Sequence, residues 1–345
     1  MQLPMHSNHR DHDANERAQS GVGLVTRRHF LQHVAVGGLA TCGLAKVRAD
    51  SSKIELMSFG FTLYGMRKLP LYEALNACAD IGYDSVELVC MPDWPCDPIA
   101  LSKAARKELN QRLVDQHLTV ASLMENVSPI VADIKAHAIN CERLKRACEL
   151  GHDLASPRLP LMPPLIETVL GGKPAEWDSV RDLMAERLQD WAKIAKEGSA
   201  VIALKPHVGG ALHTPQGAKL LMEQLKSESQ WLKLAYDYSH FELQAIDFKE
   251  SLKLMLPETA FIHVKDSAGT PDKFQFLLPG DGRTDYREYF RLLQAQRYIG
   301  PIVVEVSGQL HTRADYDPVH AAKHSYSKLA PLLTEAGLWK PRAKS

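Results

Sequence analysis

Four stretches in the second half of the chain share one pattern: a short apolar, β-branched-rich run that closes on polar residues. They are Ile202-Ala203-Leu204-Lys205-Pro206-His207, Leu232 to His240, Ala260-Phe261-Ile262-His263-Val264-Lys265-Asp266 and Ile302-Val303-Val304-Glu305-Val306-Ser307. Runs of this length and composition read as buried strands. Helical spacing alternates with them from Lys53 onward. Ile54 to Phe61 reads as a strand, and Leu69 to Ile81 as a helix with apolar residues at Leu71, Leu75, Cys78 and Ala79, stopped by Gly82. Strands follow at Ser85 to Cys90 and Leu118 to Met124, with a helix between them over Pro98 to Gln116. A helix from Ala138 to Leu150, ended by Gly151, leads to a weak fourth strand at His152 to Leu159. The fifth to eighth strands are Ala200 to Leu204, Leu232 to Tyr236, Ala260 to Val264 and Ile302 to Val306.

Eight strand–helix units over residues 50–345 predict a single (β/α)8 TIM barrel. A doubly wound sheet would normally carry a glycine-rich phosphate loop after its first strand, and Phe59-Gly60-Phe61-Thr62-Leu63-Tyr64-Gly65 is not one. In a barrel the C-terminal strand ends gather at one mouth, which makes Asp237, His263 and Glu305 candidates for one site. Two carboxylates and an imidazole suit a divalent cation. Side chains two apart on a strand share a face, so Lys205 goes with His207 and His263 with Lys265. Asp237 and His240 form Asp-x-x-His, one residue ending the strand and the other opening the loop. Glu125, after the third strand, is a further candidate for the mouth, as is Glu87 on the second. Trp94, in the loop after the second strand, is either a sugar-stacking platform or a packing residue.

The first 49 residues read as a segment apart from the barrel. Thr26-Arg27-Arg28-His29-Phe30-Leu31-Gln32, a mild apolar run from Val34 to Leu44 and a small-residue exit at Val47-Arg48-Ala49 resemble a cleavable twin-arginine export signal. Export would place the protein in the periplasm or otherwise outside the cytoplasm. The apolar run is too short for an integral membrane span. Without this segment, 35 Lys/Arg face 38 Asp/Glu, a balance that offers no electrostatic footprint for nucleic acid. Five of the six cysteines lie beyond it, with no metal-ligand spacing, and a Cys90–Cys96 bridge is one use for two of them.

Three motifs carry a resemblance to the xylose-isomerase-like barrel superfamily of sugar phosphate isomerases and epimerases, which includes inosose dehydratases and apurinic endonucleases. They are Leu234-Ala235-Tyr236-Asp237-Tyr238-Ser239-His240, Ile262-His263-Val264-Lys265-Asp266, and Pro279-Gly280-Asp281-Gly282-Arg283 followed by Gly300-Pro301-Ile302-Val303-Val304-Glu305. The resemblance implies a metal set of Asp237, His263 and Glu305, for Mn, Zn, Co or Mg; His207 and His240 are candidate further ligands. It also implies a fifth-strand Glu where this chain has Lys205. Three readings of that departure stand: His207 replaces the ligand, Lys205 is a catalytic acid/base with a lowered pKa beside Glu305, or the metal site is weakened.

The expected activity is therefore a metal-dependent isomerase or epimerase, or a related lyase, acting next to a carbonyl. Its substrate would be a small carbohydrate, unphosphorylated if the protein is exported, with Lys265, Glu125 and Trp94 as substrate-binding candidates. The alternative is a non-catalytic carbohydrate-binding barrel that has lost the fifth-strand Glu.

Overall fold

The computed structural model describes residues 57–157 and 162–342, and the expected signal segment at 1–49 lies outside them. Parallel strands β1 (Phe59–Thr62), β2 (Ser85–Val89), β3 (Thr119–Met124), β4 (Leu165–Val169), β5 (Val201–Lys205), β6 (Leu232–Asp237) and β7 (Thr259–Val264) pair in sequence order. An antiparallel hairpin of β8 (Asp266–Thr270) and β9 (Lys273–Leu277) stands apart from them. The barrel closes through β10 (Ile302–Val304), which pairs with both β7 and β1. No described helix is long and apolar enough to cross a membrane.

The two-residue alternation of each strand divides its side chains between two cores. Ala121, Leu165, Val201, Ala203, Ala235, Phe261 and Val303 pack together inside the barrel. Their neighbours Ile166, Ile202, Leu204, Leu234, Ile262, Ile302 and Val304 belong to the larger layer shared with the helices, together with Trp191 and Tyr289. Gly82 ends the helix Leu71–Ile81 as expected, with a φ of 115° that disfavours a side chain.

The fourth strand corrects the sequence expectation. The helix Ile134–Asp153 runs through Gly151, so His152 belongs to its last turn and the strand is Leu165–Val169. Gly151 provides space rather than a stop: a Cβ there would stand 2.4 Å from Cβ of Pro164, the residue that leads into β4. Cys90 and Cys96 are both buried free thiols, so the bridge is absent. Burial pushes the Cys96 thiol up to about 12, which keeps it protonated.

Candidate active site

Continuing each inward-facing series by two residues turns an apolar floor into a charged layer. Leu165 leads to Glu167 on β4, Val201 and Ala203 to Lys205 on β5, and Ala235 to Asp237 on β6. Phe261 leads to His263 on β7 and then to Lys265 beyond it, and Val303 leads to Glu305 just after β10. Glu87 on β2 completes the ring. All of these except Glu305 are buried, and Glu305 has only 12% of its side chain exposed.

Lys205 lies at the centre of this layer. Its Nζ donates to Glu305 Oε2 at 2.5 Å and to His263 Nδ1 at 2.8 Å, and sits 3.3 Å from Asp237 Oδ2 and 3.8 Å from Glu167 Oε1. The Lys265 ammonium shares two of these partners, donating to Asp237 Oδ2 and, at 2.7 Å, to Glu305 Oε2. Asp237 Oδ1 is taken by the Ser239 hydroxyl at 2.7 Å and the Ser239 amide at 3.2 Å. An ammonium can only donate, so Nδ1 of His263 accepts, and Nε2 is the nitrogen that donates to Glu87 Oε2 at 2.9 Å. Ser122 holds the other Glu87 oxygen at 2.7 Å.

These contacts reverse one expectation. Burial alone would lower the pKa of Lys205, but Glu305, Glu167 and Asp237 outweigh it and raise the pKa above the ordinary lysine value. Lys205 is therefore a protonated donor rather than the neutral base that a lowered pKa would make it. On the carboxylate side, burial again works against charge, yet the lysines hold Asp237 and Glu305 well below the usual range.

Glu167 behaves differently. Neither of its buried oxygens has a hydrogen-bond partner, and Lys205 at 3.8 Å only partly offsets the burial that pushes its pKa up to about 7. The sequence expectation missed this residue because the fourth strand was placed too early. The alternation in Leu165-Ile166-Glu167-Thr168-Val169, between Pro164 and Gly171, is the signal that marks it.

A cavity of about 440 Å³ opens onto the layer. Glu167, Lys205, Lys265 and Glu305 meet His207, His240, Asn126, Tyr64 and Phe276 around it. The His207 and His240 rings lie 4.2 Å apart, and burial lowers their pKa values to about 2 and about 4, so both are neutral. His240 Nε2 is 3.4 Å from Asp237 Oδ2, whereas His207 Nδ1 is taken by the Gly209 amide at 3.0 Å. Trp94 stacks on Tyr64 at 5.3 Å, with the Arg67 guanidinium 4.8 Å from its ring, and so backs a cavity wall without lining it. Glu125 is not brought to the cavity: Arg143 clamps it with Nε at 2.7 Å and Nη2 at 2.9 Å.

Among the described residues, Asp237, His263 and Glu305 form a group whose donor atoms all lie within 4.8 Å of one another, which is the composition of a divalent-cation site. The Lys205 ammonium nevertheless touches all three donors. Metal bonds of about 2.0–2.6 Å would put an ion in the space Nζ occupies. Were Lys205 to withdraw to 4 Å, an ammonium and a dication would still repel by roughly 8 kcal/mol at an effective dielectric of about 20. A resident divalent ion does not fit these residues while Lys205 stands where it does.

Comparison with known proteins bears on this site. The inosose dehydratase of Bacillus velezensis is 26% identical over 184 residues, 49% of this chain and 58% of that protein. The chain thus spans somewhat over half the length of this curated relative. Among solved structures, 3-keto-D-glucoside 4-epimerase from E. coli superposes with a TM-score of 0.61 at 16% identity, covering 80% of this chain and 99% of that one. The IOLI protein with a bound zinc atom superposes with a TM-score of 0.67 at 17% identity, covering 81% and 99%. At such identities these structures establish the fold alone. The model of the xylose isomerase-like TIM barrel family matches residues 75–330, and the chain belongs to that family.

Proposed function

We propose that this protein is a sugar isomerase or epimerase, or the related dehydratase, that moves a proton on the carbon next to a carbonyl of a small carbohydrate. The observation that carries this reading is Glu167: a buried carboxyl without a hydrogen-bond partner, lining the cavity, with a pKa of about 7. A general base works best when its pKa lies near the working pH. The inosose dehydratase and keto-glucoside epimerase it resembles supply the substrate class: inososes and keto-glycosides.

The chain's own residues are sufficient for the chemistry. A substrate carbonyl oxygen beside Lys205 and Lys265 would replace one of their longer contacts, to Asp237 or to His240 at 3.3 Å, and the two ammoniums would stabilise the negative charge that develops there. Glu167 takes the proton from the neighbouring carbon. A proton delivered from solvent to the opposite face gives an epimer; return of the abstracted proton to the former carbonyl carbon, with the hydroxyl proton passing to the former carbonyl oxygen, gives an isomer; and departure of the hydroxyl on the next carbon together with the proton that Glu167 took, as water, gives dehydration. Glu305, on the other side of Lys205, is held ionised and fixes that ammonium in place. Metal-dependent chemistry on Asp237, His263 and Glu305 is supported by the zinc-bound relative, but the position of Lys205 weighs against it, and no step here requires it.

The test is solvent exchange. Protein incubated in D2O with unphosphorylated ketoses, keto-glycosides and inososes should place deuterium next to the carbonyl of one of them, read by proton NMR. A binding-only barrel would retain substrate without any exchange. The preference for an unphosphorylated substrate rests on the proposed export, since phosphorylated sugars are scarce outside the cytoplasm. Replacing Arg27 and Arg28 by Lys should leave the precursor unprocessed, and unchanged processing near Asp50 would remove that ground.

A further inference from the structure

We propose that the Lys205 ammonium is the resident cation of this site, taking the place of a divalent ion among Asp237, His263 and Glu305, so that the protein works without bound metal. The geometry carries the inference. One Nζ contacts all three donors at 2.5, 2.8 and 3.3 Å and so fills the space between them where a metal ion shared by all three would sit.

The charges agree with it. Lys265 bonds the same two carboxylate oxygens as Lys205, so Asp237 and Glu305 are matched by two ammoniums. An added dication would have to share those two oxygens with both ammoniums at close range. His263 is also arranged for this role. With Glu87 holding Nε2 at 2.9 Å, its free lone pair at Nδ1 points at an ammonium hydrogen. A second carboxylate at position 205 would have the opposite effect, because Lys205→Glu changes the site by two negative charges and vacates the centre.

This inference concerns what fills the donor set, whatever sugar enters the cavity, so its test is independent of the proposed reaction. Full-length protein and its variants would be loaded with Mn²⁺ or Zn²⁺, desalted and measured for metal content by mass spectrometry, with melting temperature recorded in metal and in EDTA. The wild type should carry substoichiometric metal and show the same melting temperature in both. Lys205→Glu should retain metal through the desalting step. Its melting temperature should rise by roughly 4 °C at a hundredfold excess of ion over its dissociation constant. Lys205→Gln keeps a side chain of similar reach, removes the charge, and should gain metal more weakly, which provides an arm if Lys205→Glu does not fold. Stoichiometric metal in the wild type, lost on His263→Ala, would overturn the proposal. So would metal-free behaviour in every folded variant, because Lys205 would then not be what excludes the ion.

Discussion

Two sides of one barrel mouth treat buried carboxyl groups in opposite ways. Between β6 and β10, Asp237 and Glu305 are crowded by Lys205 and Lys265, and both are held ionised. On β4, Glu167 lies equally deep but its burial is offset chiefly by Lys205, at 3.8 Å, and its pKa rises to about 7. Depth alone therefore does not decide whether a carboxyl can carry a proton at neutral pH. The number of cations within hydrogen-bond reach does. The paired side supplies fixed charge, and the unpaired side supplies a group that can gain and lose a proton.

The largest expected effect comes from removing the cation that the two sides share. Lys205→Met leaves Asp237 and Glu305 with one ammonium between them. Breaking a buried pair in this way should cost about 3–5 kcal/mol in a urea melt. Turnover should fall by about 10²–10³ through loss of charge stabilisation. Retained stability and turnover would show that the paired side does not depend on Lys205.

Glu167→Gln sharpens the other side through its pH dependence. The folded carboxyl has its pKa raised from the ordinary 4.5 to about 7, so the folded state binds the proton more tightly than the unfolded chain. That contribution is fully present below about 4.5 and is lost as pH rises through about 7. The amide cannot ionise, so Glu167→Gln should gain on the wild type by up to about 3 kcal/mol between these limits. Parallel stability curves for the two proteins would mean that Glu167 has no raised pKa. A smaller effect belongs to Ser239→Ala, which removes the hydroxyl that holds Asp237 at 2.7 Å. A loss of about 1.5–3 kcal/mol is expected, with the metal content unchanged.

The sequence made the strand ends legible because a two-residue alternation brings Asp237, His263 and Glu305 to one end of a closed barrel. It did not make the fourth strand legible. The expected stop at Gly151 is a packing glycine inside a helix, and the true strand begins two residues after Pro163. The hairpin of β8 and β9 was also hidden, since Asp266–Thr270 and Lys273–Leu277 expose many residues and lack an apolar run. The state of Lys205 could not be read from composition, because its pKa depends on which carboxylates converge on one nitrogen. The same limit applies to Glu125, whose partner Arg143 lies a helix away in sequence.

The most direct test of the account joins both sides of the mouth in one assay. Deuterium exchange next to the substrate carbonyl would be followed for the wild type before and after exhaustive chelation, and for Glu167→Gln. The account predicts that exchange in the wild type survives chelation, and that in Glu167→Gln it drops by about 10²–10⁴ with the fold intact. Exchange that stops on chelation and returns with added divalent ion, or that persists without the Glu167 carboxyl, would contradict it.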